Sequence, residues 1–235
     1  MSKVLVIIPA YNEEESLYKL INDLRELYTN VDYLVVDDCS SDKTATLLKD
    51  MGANYVSAPV NLGIGGAVQT GYKYAKKNEY NIAIQVDGDG QHDISFLGKL
   101  IEPIENDIAD VVIGSRFIER EGFQSSSTRR AGIFFLSGLI RVTCGCRVRD
   151  VTSGFRAVNR RFINMYAEDY PDDYPEPEAI VTAKLNGARI VEVPVIMRER
   201  KNGKSSISAK KSIYYMIKVS LAIVMCRLSL GVRRE

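Results

Sequence analysis

Asp87, Asp89 and Asp93 fall within seven residues, in the stretch Gln85-Val86-Asp87-Gly88-Asp89-Gly90-Gln91-His92-Asp93. Carboxylates two apart at a strand exit repel each other if left bare. A hard divalent cation resolves that repulsion, because Mg2+ and Mn2+ prefer oxygen ligands. Magnesium takes only one or two protein carboxylates and fills its shell with water and phosphate oxygens. Gly88 and Gly90 let backbone and ligand come close, and Gln91 offers a neutral oxygen. A solvated Asx-turn uses the same residue types, so the Asp-x-Asp pair alone decides nothing. Asp93 has the place and type of a cap for the helix that "ISFLGKLIEPI" predicts.

The acids need a frame to hold them, and the first half of the chain supplies a regular one. "KVLVIIP", "DYLVVDD", "ANYVSAP" and "NIAIQV" read as strands. Between them "NEEESLYKLINDLREL", "SSDKTATLLKDMG" and "GGAVQTGYKYAKKN" read as helices, the first with Leu17, Leu20, Ile21 and Leu24 on one face. Strand–helix alternation predicts an α/β fold, a mostly parallel sheet flanked by helices. Ligands of such sheets bind beyond the carboxyl ends of the strands. "PAYNEE", "DDCSSD", "NLGIGG" and "DGDGQHD" each follow one of the strands, so all four belong on one rim.

The second half is less regular. "DVVIGSRF" predicts a strand, "EREGFQSSSTRR" a mobile polar loop, and "AGIFFLSGLIRVTCG" an apolar helix. "DVTSGFRAVNRRFINMY" predicts a turn, strand and helix. "YPDDYPEPEAIVTAKLNG" is a proline-broken lead into a helix, and "ARIVEVPVIMRER" a pair of strand segments hinged near Pro194.

A length of 235 residues suits one large domain, and 46% hydrophobic with 26% charged residues is ordinary for a globular protein. A net charge of +1 argues against a dedicated nucleic-acid binder. One histidine and closely spaced Cys144 and Cys146 argue against a Cys/His zinc site. The N-terminus has no secretory signal, so reduced thiols and a cytoplasmic location are expected.

Taken together, "IPAYNEE", "VVDDCSSDKT", "NLGIGGA", "DGDGQHD", "GSR" and "DVTSGFR" resemble the family 2 glycosyltransferases with the GT-A fold. The resemblance runs in order over residues 3–205 and is strongest to the branch of dolichol-phosphate mannose synthases and polyprenyl-phosphate glycosyltransferases. It implies a nucleotide-binding GT-A domain over residues 1–205, Mg2+ or Mn2+ as cofactor, and inverting transfer from a nucleotide sugar. Pro9, Tyr11 and Glu13 would line the nucleoside pocket, and Asp38 would accept from the base. Gly63 and Gly65 would let the chain pass close to the nucleoside. Asp89 and Gln91 would hold the metal, with Asp87 sharing it and reaching toward the ribose. Arg116 and Arg129 would face phosphate, and Asp150 would lie near the acceptor. Arg200 and Lys204 would contact diphosphate and acceptor phosphate. His92 would donate to the diphosphate or fill its turn.

The implied roles suit the chemistry. Negative charge develops on the leaving diphosphate, where metal and Arg/Lys donors stabilise the transition state above the ground state. A lipid-phosphate acceptor is already anionic at pH 7; a sugar hydroxyl would need a base, with Asp150, Glu176 and Glu178 as candidates. "YPEPE" departs from the aromatic–polar–acid pattern usual in the mannose synthases.

Residues 206–235 form a basic, apolar tail. From Arg198 to Glu235 there are ten Lys/Arg against two Glu. Ile213, Ile217, Leu221, Val224 and Leu228 share one stripe of a helix, an amphipathic signature, and the uncharged run Val219–Cys226 is too short to span a bilayer. The helix is expected to lie on the inner face of the cell membrane, to be covered by a small membrane protein, or to join copies of the chain. Three rivals are weaker. A dinucleotide-dependent oxidoreductase would place Gly-x-Gly-x-x-Gly after the first strand. A nucleotidyltransferase would carry a basic, glycine-rich loop where "PAYNEE" stands. A scaffold would leave the acids without use.

Overall fold

A computed structural model describes residues 2–124, 126–173, 175–199 and 209–232. Arg200 and Lys204 lie outside the described residues. The first half runs β1 (Val4–Ala10), α1 (Glu14–Leu27), β2 (Asp32–Asp37), α2 (Thr44–Asp50), β3 (Tyr55–Ser57), α3 (Gly63–Lys77) and β4 (Ile82–Gln85). A 3-10 turn at Ile94–Phe96 leads into α4 (Leu97–Glu105), then β5 (Val111–Ser115) and α5 (Ser127–Cys144). β6 (Arg156–Asn159), α6 (Arg160–Glu168), α7 (Pro175–Leu185), β7 (Ile190–Pro194) and α8 (Ala209–Val232) complete the chain.

The seven strands form one sheet in the order β3-β2-β1-β4-β6-β5-β7. All neighbours are parallel except β6, which runs antiparallel to both β4 and β5. All seven residues of β1 are buried, as expected for a central strand covered on both faces. Its side chains alternate between two cores. Leu5 and Ile7 pack with α3, α5, α6 and α7, whereas Val4, Val6 and Ile8 pack with α1 and α4. α1 buries Leu17, Leu20, Ile21 and Leu24, the face its sequence spacing predicted. Gly71 brings α3 onto the sheet: a Cβ there would stand 2.2 Å from Ile7 Cγ2.

Two expectations change in the second half. The polar loop ends earlier, because the Ser126 side chain caps α5 by accepting from Arg129 N–H, which draws Ser127–Arg130 into the helix. The second strand segment after Pro194 reduces to isolated bridges, in which Met197 pairs with both His92 and Gly122. α8 is long but not one-sided. Val219 and Ile223 are buried against the domain, where α8 meets α5 and α7, while Ile217, Leu221, Val224 and Leu228 are exposed. No helix among the described residues is long and apolar enough to cross a membrane.

Candidate active site

β1, β2 and β4 are parallel, so their carboxyl ends open on the same rim. There they bound a cleft of about 380 Å³. Pro9, Tyr11, Glu13, Asp38, Gly63, Asp87 and Asp89 all line it. These residues come from the ends of β1, β2 and β4 and the start of α3, and only the sheet topology gathers them.

Local hydrogen bonds hold the rim. Asn12 adopts φ 57°, a left-handed turn that asparagine tolerates, and its Oδ1 accepts from Ser41 N–H at 2.8 Å. That bond ties the loop after β1 to the loop after β2. Ser16, in the first turn of α1, donates to the Gly88 carbonyl at 2.6 Å. Asp38 is 4% exposed and accepts from Leu62 N–H at 2.6 Å, so it also fixes the turn that opens α3. Gly63 sits at φ +75° on the cleft wall. Gly65 meets the chain itself. A Cβ there would stand 2.1 Å from the Pro171 carbonyl oxygen, and its N–H donates to Asp172 O at 3.0 Å.

Asp87 is held from several sides. Gln85, fully buried in β4, donates to Asp87 Oδ1 at 2.9 Å. The Asp87 N–H donates to His92 Nδ1 at 3.0 Å, and His92 Nε2 stands 3.6 Å from Asp87 Oδ2. Gly154 closes the remaining side, where a Cβ would come within 2.7 Å of Asp87 Oδ2. Asp89 Oδ1 accepts from Gln91 N–H at 3.0 Å, the tight Asx geometry of this turn. Gln91 turns its amide toward the Arg198 carbonyl at 3.4 Å. Asp93 caps the following turn by accepting from Ser95 N–H, as its sequence position implied, and pairs with Arg198 at 2.9 Å.

The donor set fits a hard divalent cation. Asp87 and Asp89 are partly exposed carboxylates lining one cleft. No cage of three or more His, Cys, Asp or Glu side chains exists among the described residues. Two carboxylates with room for phosphate oxygens suit Mg2+ or Mn2+ better than an all-protein site.

Beyond the cleft, Arg116 and Asp150 meet each other in place of ligands. The guanidinium donates to both Asp150 oxygens, at 2.7 and 2.6 Å, and to Thr152 Oγ1 at 3.2 Å. Asp150 is fully buried, and its own N–H donates to Glu192 on β7 at 2.9 Å. Arg129 is exposed on the first turn of α5. Glu176 and Glu178 point to different neighbourhoods. Burial pushes the Glu176 carboxyl up, the Arg156 guanidinium opposes the rise, and the Asp87 carboxylate adds to it. Burial also raises Glu178, but its charged neighbours are Asp169, Asp172 and Lys218 of α8. Of the two acids, only Glu176 feels the Asp87 carboxylate of the cleft.

The sequence profile of Glycosyl transferase family 2 matches residues 5–166. The chain belongs to that family. An undecaprenyl-phosphate mannosyltransferase of Micrococcus luteus is 34% identical over 216 residues, covering 88% of each chain. A UDP-N-acetylglucosamine–dolichyl-phosphate N-acetylglucosaminyltransferase of Methanococcus voltae is 33% identical, over 82% of this chain and 84% of its own. Among solved structures, glucosyl-3-phosphoglycerate synthase of Mycobacterium tuberculosis with Mn2+, UDP and phosphoglyceric acid superposes with a TM-score of 0.73. At 21% identity, over 96% of this chain and 78% of that one, the match establishes the GT-A fold.

Several residues that shape this glycosyltransferase's site are weakly marked in its sequence. Gln85 reads as the end of an apolar strand, and only the following Asp87 hints that its amide has a partner. Arg156 is 1% exposed and donates to the Ser153 and Glu176 carbonyls, binding the "TSGF" turn to α7. A charged residue opening the strand "RAVN" was the available signal.

Proposed function

We propose that this glycosyltransferase moves a sugar, with inversion, from a nucleotide sugar to a polyprenyl phosphate at the inner face of the cell membrane. One observation carries the donor half: side chains from three parallel strand ends meet Asp87 and Asp89 around a single cleft. Tyr11, half-exposed at the cleft, supplies a ring for the base, and Asp38 supplies a carboxylate. A divalent cation on Asp87 and Asp89 would neutralise charge on the leaving diphosphate. Arg129, Arg200 and Lys204 are the cations we assign to the donor and acceptor phosphates, Arg129 from the first turn of α5. We assign Arg116 and Asp150 to holding the acceptor-side wall rather than to touching the reacting atoms.

The lipid half is supported by the names of the relatives and by one surface. Phe134 and Phe135 of α5 are more than half exposed, as are Ile217, Leu221, Met225 and Leu228 of α8, the helix that packs on α5. Arg141 and Arg227 are exposed on the same two helices. An apolar face with basic residues suits an anionic lipid surface.

The test uses UDP-, GDP- and dTDP-sugars with Mn2+ and polyprenyl phosphate in detergent, following nucleotide release and sugar-lipid formation. Release that depends on the lipid phosphate is expected. Transfer only to a glycan hydroxyl would instead favour a second reading, for which we assign Glu176, raised by burial and by the Asp87 charge, as the base.

A further inference from the structure

With Asp87 read as a donor-site carboxylate, as proposed above, we infer that His92 is a positioning residue that sets its geometry. His92 is 5% exposed and stacks on Phe155, with ring centroids 4.9 Å apart and planes 13° from parallel. Met197, in the segment after β7, bridges to the His92 backbone, so the backbone is paired while the ring is stacked. Its Nδ1 accepts from the Asp87 N–H at 3.0 Å and therefore carries no proton. The ring proton sits on Nε2, which faces Asp87 Oδ2 at 3.6 Å. That spacing is longer than a hydrogen bond and acts as a dipole aimed at the carboxylate. The imidazole thus holds Asp87 by its backbone N–H and lies near one carboxylate oxygen without bonding it, while Gln85 donates to the other oxygen. Gripped this way, the Asp87 carboxylate has one orientation before donor and cation arrive. Partners that orient a metal-binding carboxylate are worth about tenfold to a hundredfold in affinity.

The chain contains a single histidine, so its imidazole nitrogens are the only ones in a 15N spectrum of the full-length protein. The spectrum is expected to show the Nε2–H tautomer; an Nδ1–H tautomer would overturn the inference. Binding of UDP, GDP and dTDP with Mn2+ is measured in parallel by calorimetry. His92→Phe keeps the ring stack on Phe155 and removes both nitrogens. It is expected to weaken binding of the preferred nucleotide about tenfold to a hundredfold while circular dichroism stays unchanged. His92→Asn places an amide oxygen where Nδ1 stands and should recover part of that loss. Equal binding by parent and His92→Phe, or no recovery in His92→Asn, would count against it. If the parent binds none of the nucleotides, the donor-site reading falls, and the tautomer still decides the brace.

Discussion

Arg116 spans both carboxylate oxygens of Asp150, with 7% and 0% of the two side chains exposed. A buried pair of this kind is expensive to break from one side, because the surviving charge is left without a partner. Asp150→Asn is expected to lose about 3–5 kcal/mol of stability, measured by denaturant unfolding. A variant with unchanged stability and abolished turnover would instead place Asp150 at the acceptor. Arg116→Lys, which cannot span both oxygens, should fall between parent and Asp150→Asn.

Gly154 faces Asp87 so closely that a methyl group has no room, at 2.7 Å from Oδ2 and 2.9 Å from Gln85 Nε2. Gly154→Ala should push the carboxylate out of place. We expect turnover to fall about a hundredfold, in line with a misplacement near 1 Å, with KM for the donor rising as well. Unaltered kinetics would mean that Asp87 tolerates displacement.

Asp89→Asn tests the cation directly. The substitution keeps the size and the Asx turn but removes the charge. Turnover is expected to drop about a hundredfold or more, and EDTA should abolish activity of the parent until Mn2+ or Mg2+ is restored. Activity that survives EDTA would remove the cation from the mechanism.

The apolar face of α5 and α8 gives a prediction about partition. Phe135→Ser with Leu221→Ser alters exposed side chains, so stability should move by less than about 0.5 kcal/mol each. Each lost anchor weakens membrane binding by about 1–2 kcal/mol. Sedimentation with vesicles containing anionic lipid should show the double variant bound at least about tenfold more weakly. Equal sedimentation of parent and variant would reassign the face to a protein partner.

Asp110 offers a pH test away from the site. Hydrogen bonds from Arg189 hold its carboxyl below the ordinary value of 3.8, against the effect of burial. The folded state therefore binds fewer protons than the unfolded state near that pH. The stability this contributes is present above the ordinary value and drains away as pH falls through the folded one. Asp110→Asn should cost about 1–3 kcal/mol at pH 7, with the gap to the parent closing on acidification. A gap that is constant with pH would assign the cost to packing.

The donor half was legible because it obeys local rules. Helical spacing gave α1, apolar runs gave β1 and β4, and parallel order placed the motifs after them on one rim. The acceptor half depends on contacts between distant residues. Arg116 and Asp150 are 34 positions apart, and nothing local pairs them. Gln85 registers with Arg156 across an antiparallel strand that inserts out of sequence order. The close approach at Gly65 was hidden in the same way, because the carbonyls that exclude a side chain there lie beyond position 170. The start of α5 was hidden by a serine run, from which nothing local singles out Ser126 as the cap.

The reversed strand β6 has a consequence for how this enzyme could change. Its pairing with β4, Gln85 against Arg156, is the stitch between the residues we assign to the donor and those we assign to the acceptor side. Each half can drift in its loops so long as that stitch keeps its register. New acceptors could thus be acquired by rewriting one side of the sheet, while the nucleotide grip on the other is inherited intact.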